Sequence, residues 1–313
     1  MIGFIAQLLH TALMLAGAPV LVGAIRVLKA RLLGRTGPPI LQPWRDLIRL
    51  FRKQPVCAEN ASWLFHAAPA AGFAATAAAA MLIPSFSLAM TSAPIADLIV
   101  IVGLLTLARV ILALAGMDVG TSFGGIGASR EMTYAVFAEP ALLLVVFTLA
   151  LLLGTTNLDL VVTTLREGNY GVRVSLGLAL IAIITVAIAE NGRIPIDNPA
   201  THLELTMVHE AMVLEYSGRY LALIEWTAAL KLLVWMTLIS SIFLPFSLAT
   251  NVLFWPVGAL AWAAKVGALA AGLGIFESAI AKMRVFRVPE FLGIAVLLGL
   301  LAAVFLFVSQ GFA

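Results

Sequence analysis

Residues 132–154, MTYAVFAEPALLLVVFTLALLLG, carry a single charged side chain, Glu139. About 20 predominantly apolar residues in a helix cross the hydrocarbon core of a bilayer, so this stretch reads as a transmembrane span. A lone carboxylate in lipid is expensive unless it is paired or hydrated. Glu139 is therefore the residue of the span most in need of a reason. On the residues alone, it serves equally well as a proton relay or as the structural partner of a basic residue on another helix.

Working outward, further spans fall at 3–25, 64–89, 95–117, 172–190, 220–245, 252–275 and 290–310. The expected fold is all-α, a polytopic membrane protein of eight spans forming one transmembrane domain over 1–313. The Ala-rich run from Ala74 to Ala80 makes the second span the weakest of them. Charged residues are 11% and apolar ones 62% of the chain, with mean hydropathy +1.06. Soluble domains carry about 25% charge, so lipid must cover most of this surface. The run from Ile2 to Ile25 exceeds the roughly 7–15 residues of a signal-peptide core and reads as a retained first span.

Basic residues set the expected orientation. Fourteen, from Arg26 to Arg287, follow odd-numbered spans, whereas only Arg166 and Arg173 lie in the opposite loops. The positive-inside rule then puts the odd loops in the cytoplasm and both termini outside. The same clustering explains the net charge of +3 without nucleic acid. Cys57 is the single cysteine, and an iron–sulfur cluster needs four ligands. Redox chemistry therefore belongs to partner subunits or to an organic cofactor.

Within predicted spans stand Arg109, Glu139, Glu225, Lys231 and Lys265. Glu225 and Lys231, six residues apart, diverge by roughly 240° around a helix and do not pair with each other. The longest loop, 26–63, contains Trp44 to Lys53, with Leu47, Leu50 and Phe51 on one helical face and basic residues mainly on the other. Such a helix lies in the membrane interface or against a partner.

The loop 190–219 is the densest polar region. Asn198 followed by Pro199 is a good helix start. A continuous helix from there places Glu204 and Glu215 about 20° apart and roughly 16 Å along one face. That pair suits a proton path or a solvated acidic face paired with Arg193 and Arg219. His202, His209 and Glu210 lack the spacing of a zinc helix. The glycines of Gly120 to Gly127 match neither a phosphate loop nor a dinucleotide fingerprint and read as a tight turn.

Three motifs carry a resemblance: Gly34-Arg35-Thr36-Gly37-Pro38-Pro39-Ile40-Leu41-Gln42-Pro43 with Asp46; Gly127-Ala128-Ser129-Arg130-Glu131; and Arg193-Ile194-Pro195-Ile196-Asp197 with Glu204-Leu205 and Glu215-Tyr216-Ser217-Gly218. Over nearly the whole chain the sequence resembles the membrane subunit shared by respiratory complex I (its subunit 1) and the group 4 nickel–iron hydrogenases. The run Ala115 to Glu131 is closer to the formate hydrogenlyase and hydrogenase-4 branch.

The resemblance implies a membrane-anchoring and energy-coupling subunit of a prokaryotic cytoplasmic membrane complex, non-catalytic by itself, linked to proton or sodium movement. It implies coupling residues at Glu139, Glu190, Asp197, Glu204, Glu215, Glu225 and Lys231. Docking or loop-structuring residues are implied at Arg35, Gly37, Pro38, Asp46, Arg130, Glu131 and Arg193. Expected partners are hydrogenase large and small subunits, an iron–sulfur subunit and antiporter-like membrane subunits, with nickel–iron and iron–sulfur centres in those partners and no metal or cofactor here. His202, His209 and Glu210 depart from the wider family's pattern, and His202 is a candidate relay. Two alternatives stand beside this reading: a quinone-binding subunit of a complex I-like oxidoreductase, and a stand-alone secondary transporter. The transporter lacks support from any repeat between the two halves.

Overall fold

The computed structural model describes residues 2–168, 173–193, 208–281, 283 and 287–311. Asp197, His202 and Glu204 lie outside them. Among the described residues the chain is helical, with eleven α-helices and no strand longer than an isolated bridge. Seven helices are long and apolar enough to span a membrane: α1 (Ile2–Leu32), α3 (Trp63–Leu82), α4 (Leu98–Asp118), α5 (Ser122–Leu153), α9 (Gly218–Phe243), α10 (Trp255–Ala279) and α11 (Val288–Gly311). The eighth predicted span is α7 (Val174–Glu190), an apolar helix of 17 residues and so about 26 Å long. Shorter helices are α2 (Gln42–Phe51), α6 (Leu158–Glu167) and α8 (His209–Val213).

Local chemistry sets several ends. Ser62, Asp97, Thr121 and Asn157 cap α3, α4, α5 and α6 by accepting a backbone N–H in the first turn, which satisfies a donor with no partner inside the helix. Gly154, at φ +72°, ends α5 in the left-handed region. Beyond α1 the N–H groups of Gly34 and Arg35 return to the carbonyls of Arg31 and Ala30, a Schellman closure with glycine at its left-handed position (φ +68°).

Three boundaries differ from the sequence reading. α1 runs to Leu32, so Arg26, Lys29 and Arg31 stand on the helix and not in a loop. α5 begins at Ser122, ten residues before the apolar stretch. Only Gly120 (φ +73°) belongs to the expected turn, and Gly124, Gly125 and Gly127 are helical. Hydropathy marks where lipid begins, whereas a capped helix continues into the interface. A helix running on as far as Glu215 is also not found. α8 ends at Val213, and Glu215 is exposed in the turn beyond it.

α9 is the central post. Two thirds of its apolar stretch (67%) is buried, against 28% for the α10 region, and Leu230, Leu233 and Trp235 are fully enclosed. α1, α3 and α10 pack against it, while α11 packs on α5 and α7. The Ala-rich α3 packs closely on α4 and α9, as small residues allow between membrane helices.

α2 forms where the amphipathic segment was expected. Its apolar face covers this chain's own α1 and α9. Leu47 is buried, and the Trp44 and Phe51 rings meet Trp226 edge-on at 5.6 and 6.2 Å. Arg45, Arg49, Arg52 and Lys53 are exposed on the other side.

Candidate functional site: a buried ion cluster

Arg109 projects from α4 with its side chain 5% exposed. Its guanidinium ion-pairs with Glu190 from the end of α7 and lies 3.5 Å from Glu139 and 3.6 Å from Glu131, both on α5. Glu131 and Glu139 are eight residues apart, close to two turns, which puts both carboxylates on one face. Lys231 of α9 completes the set. Its Nζ lies 2.9 Å from Oε2 of Glu190, in ion-pair contact but off the angle of a hydrogen bond. Four helices thus deliver two cations and three carboxylates to one place.

The formal charge with all five groups ionised is −1. One added proton neutralises the cluster, and in a low-dielectric interior that balance matters more than it does in water. Desolvated charges hold there only when paired, and here each carboxylate faces a cation. A cavity of about 100 Å³ adjoins the cluster, lined in part by Arg109, Glu131, Glu190, Lys231 and His209.

A second group of ions sits at the ends of α1, α7 and α10. Glu277, its side chain 1% exposed, receives Lys29 Nζ at 2.7 Å and faces Arg193 Nη1 at 3.5 Å. Burial pulls the pKa of Arg193 below the ordinary arginine value, and Glu277 opposes that pull. The meeting of these three helix ends agrees with spans that alternate in direction. Between this group and α2 lies a cavity of about 660 Å³.

The residues expected to matter divide accordingly. Glu139, Glu190 and Lys231 come together in the cluster. Glu131, expected in a docking loop, belongs to the cluster instead, because α5 starts early enough to carry it. Glu225 lines the larger cavity. Glu215 joins neither group: it is exposed, and the motif it opens is a clasp. There, Tyr216 stacks on Phe65 with ring centroids 4.0 Å apart and donates to the Phe65 carbonyl at 2.9 Å. Ser217 Oγ bonds the N–H and C=O of Val56, and a Cβ on Gly218 would meet the Gln54 carbonyl oxygen at 2.7 Å.

The first motif is structural in the same way. A Cβ on Gly37 would meet Val27 Cα at 3.0 Å and Ala30 Cβ at 3.1 Å, so a side chain here would push the loop a few tenths of an ångström away from α1. Arg35 is exposed, and Pro38 lies in the same crossing. Asp46 accepts from Arg49 at 2.9 Å and Gln42 at 3.0 Å within α2.

A family model described as NADH dehydrogenase matches residues 5–309. The chain belongs to that family. It is 36% identical over 245 residues to Hydrogenase-4 component C of Escherichia coli (strain K12), covering 78% of this chain and 76% of that protein. It is 30% identical over 288 residues to Formate hydrogenlyase subunit 4 of the same organism, covering 90% and 92%. A solved chain of the membrane-bound sulfane sulfur reductase, an archaeal respiratory membrane complex, superposes with a TM-score of 0.82 at 21% identity, over 98% of this chain and all of that one. That likeness establishes the fold.

In this member of the NADH dehydrogenase family the sequence marked Arg109 as a charge out of place, but not as the hub of three carboxylates. Glu277 went unremarked, because an acid near a span end looks like ordinary interface polarity. Lys265 proves structural. Its Nζ donates to the carbonyls of Leu244 and Phe246 at 3.0 and 2.9 Å, capping the C-terminal end of α9. Among the described residues no group of His, Cys, Asp and Glu is arranged to hold a metal ion.

Proposed function

We propose that this chain is the membrane-anchoring, energy-coupling subunit of a group 4 hydrogenase or formate hydrogenlyase-like complex in a prokaryotic cytoplasmic membrane. The observation that carries the reading is the Arg109 cluster, one proton short of neutrality, inside a chain whose relatives include Hydrogenase-4 component C and Formate hydrogenlyase subunit 4. Electron transfer occurs in partner subunits, the hydrogenase large and small subunits and an iron–sulfur subunit, which hold the nickel–iron and iron–sulfur centres. This chain binds none of these centres. Rearrangement at its cytoplasmic loops shifts the pairing of Glu190 between Arg109 and Lys231, and that shift passes charge toward antiporter-like subunits. Both termini lie outside, and 26–63 and 190–219 face the cytoplasm as parts of one transmembrane domain.

The larger cavity favours a second reading, a quinone-binding subunit of a complex I-like oxidoreductase, since it opens between α1, α2 and α9 with mixed apolar and charged walls. Purification of the complex in mild detergent separates the two. Nickel with abundant iron, and hydrogen evolution coupled to acidification of proteoliposomes, support the hydrogenase reading. Iron with bound quinone and no nickel transfers the chain to the second, and purification as a lone subunit without metal overturns both.

A further inference from the structure

The two cavities share a wall. Among the described residues, Asn191, Gly192, His209 and Ala228 line both the 100 Å³ cavity beside the Arg109 cluster and the 660 Å³ cavity beside α2. Each volume exceeds the ~15 Å³ that one water molecule needs, and both are lined with charge. Of these four wall residues, only one can gain and lose a proton. Gly192 and Ala228 have no polar side chain. The Asn191 amide does not titrate, and its nitrogen already donates to the Ala187 carbonyl at 2.7 Å. His209 carries an imidazole, the side chain whose ordinary titration range lies nearest physiological pH.

The fold holds His209 firmly in this wall. The preceding residue, Val208, lies against α5 at a point where a Cβ on Gly127 would come within 2.8 Å of its carbonyl oxygen. Met212, one turn further on, fits so closely against Gly116 of α4 that a Cβ there would meet it at 3.0 Å. Glycines at 116 and 127 thus let α8 sit directly on α4 and α5. On one side of the wall stand Arg109, Glu131, Glu190, Lys231 and the Tyr134 phenol. On the other stand Arg26, Lys29, Asp46, Arg193, Glu225 and Glu277, with the neighbouring Glu210.

We infer that His209 is the proton-transfer residue between the larger cavity and the Arg109–Glu190–Lys231 cluster, an inference that rests on the coupling role proposed above. A proton from the larger cavity adds to one ring nitrogen and gives the imidazolium. Loss of the proton from the other nitrogen into the smaller cavity leaves the opposite neutral tautomer. Rotation of the ring then turns the bare nitrogen back toward the larger cavity and the N–H toward the smaller one, and a second transfer of the same kind returns the first tautomer, so two protons cross for each full cycle of the residue.

The test uses the whole purified complex in proteoliposomes, with hydrogen evolved from reduced methyl viologen and internal pH followed by a fluorescent dye. His209→Ala should lower protons moved per hydrogen by about tenfold or more, and added imidazole should restore them. Substituted imidazoles of different pKa should shift the pH profile of the restored movement in parallel. His209→Gln, which keeps a polar side chain and fills the space, should be equally slow and resist rescue. Wild-type ratios in both variants overturn the inference, as does a defect in His209→Ala that no imidazole restores. Hydrogen evolution by the wild type without any proton movement is a different result. It refutes the coupling role itself, and the relay with it.

Discussion

Removing Arg109 tests the charge arithmetic of the cluster directly. In Arg109→Met the formal charge of the remaining groups falls from −1 to −2, and Glu131 and Glu139 lose the cation that each faces at 3.6 and 3.5 Å. Breaking a buried pair by deleting one partner destabilises by about 3–5 kcal/mol. At roughly 2 °C per kcal/mol for a chain of this size, the midpoint of thermal aggregation in detergent should drop by about 6–10 °C. Glu190→Gln removes a negative charge and keeps the shape, leaving two cations with two carboxylates, so its drop should be smaller. The double variant returns to a formal charge of −1. It should melt above Arg109→Met alone, a coupling of about 1 kcal/mol or more between residues in contact. The assay is size-exclusion chromatography of heated, fluorescently tagged protein, with all variants run side by side. A double variant whose loss equals the sum of the two singles would refute the view that these residues share one charge balance.

Other consequences are as direct. Gly127→Ala should displace α8 and lower stability by about 1–3 kcal/mol, seen as faster protease cleavage near residue 208, because the backbone oxygen of Val208 would lie only 2.8 Å from the new Cβ. Tyr216→Phe should weaken the clasp by about 1 kcal/mol. Burial raises the Tyr216 pKa above its ordinary value, so in the wild type the tyrosine's contribution is complete below about pH 10 and is lost as pH climbs through the folded value. Proteolysis of loop 52–61 across that range reads both effects. Cys57, the single cysteine, is partly exposed in the loop assigned to the cytoplasm. A membrane-impermeant maleimide should therefore label inverted vesicles and spare intact spheroplasts, and the opposite pattern reverses the orientation.

The seven membrane-length helices and the shorter apolar α7 were legible in the sequence because lipid imposes a single rule on every span: about 20 apolar residues with few charges. That rule marked Glu139, Arg109, Lys231 and Lys265 as exceptions without saying what each exception serves. Lys265 turned out to cap α9, and the other three converge with Glu131 and Glu190. Hydropathy is a property of one helix at a time, whereas pairing depends on how helices are rotated about their axes and where their ends meet. For the same reason the spacing that would align Glu204 with Glu215 on one continuous helix does not carry through to Glu215. Regular spacing extrapolates a helix, and where no local cap stops it packing decides the end: here the chain turns after Val213, and Tyr216 stacks on Phe65.

By itself, then, the sequence determined an all-helical membrane protein, its family likeness and the charges that fall within apolar spans, but not Glu277 or the pairing of Glu131. Tertiary structure decided which of those charges meet. Arg109 reaches three carboxylates because α5 begins ten residues early and α7 ends beside it, and His209 stands between two cavities because Gly116 and Gly127 leave room for α8. Both outcomes depend on contacts between residues far apart in the chain, which no local pattern of hydrophobicity encodes.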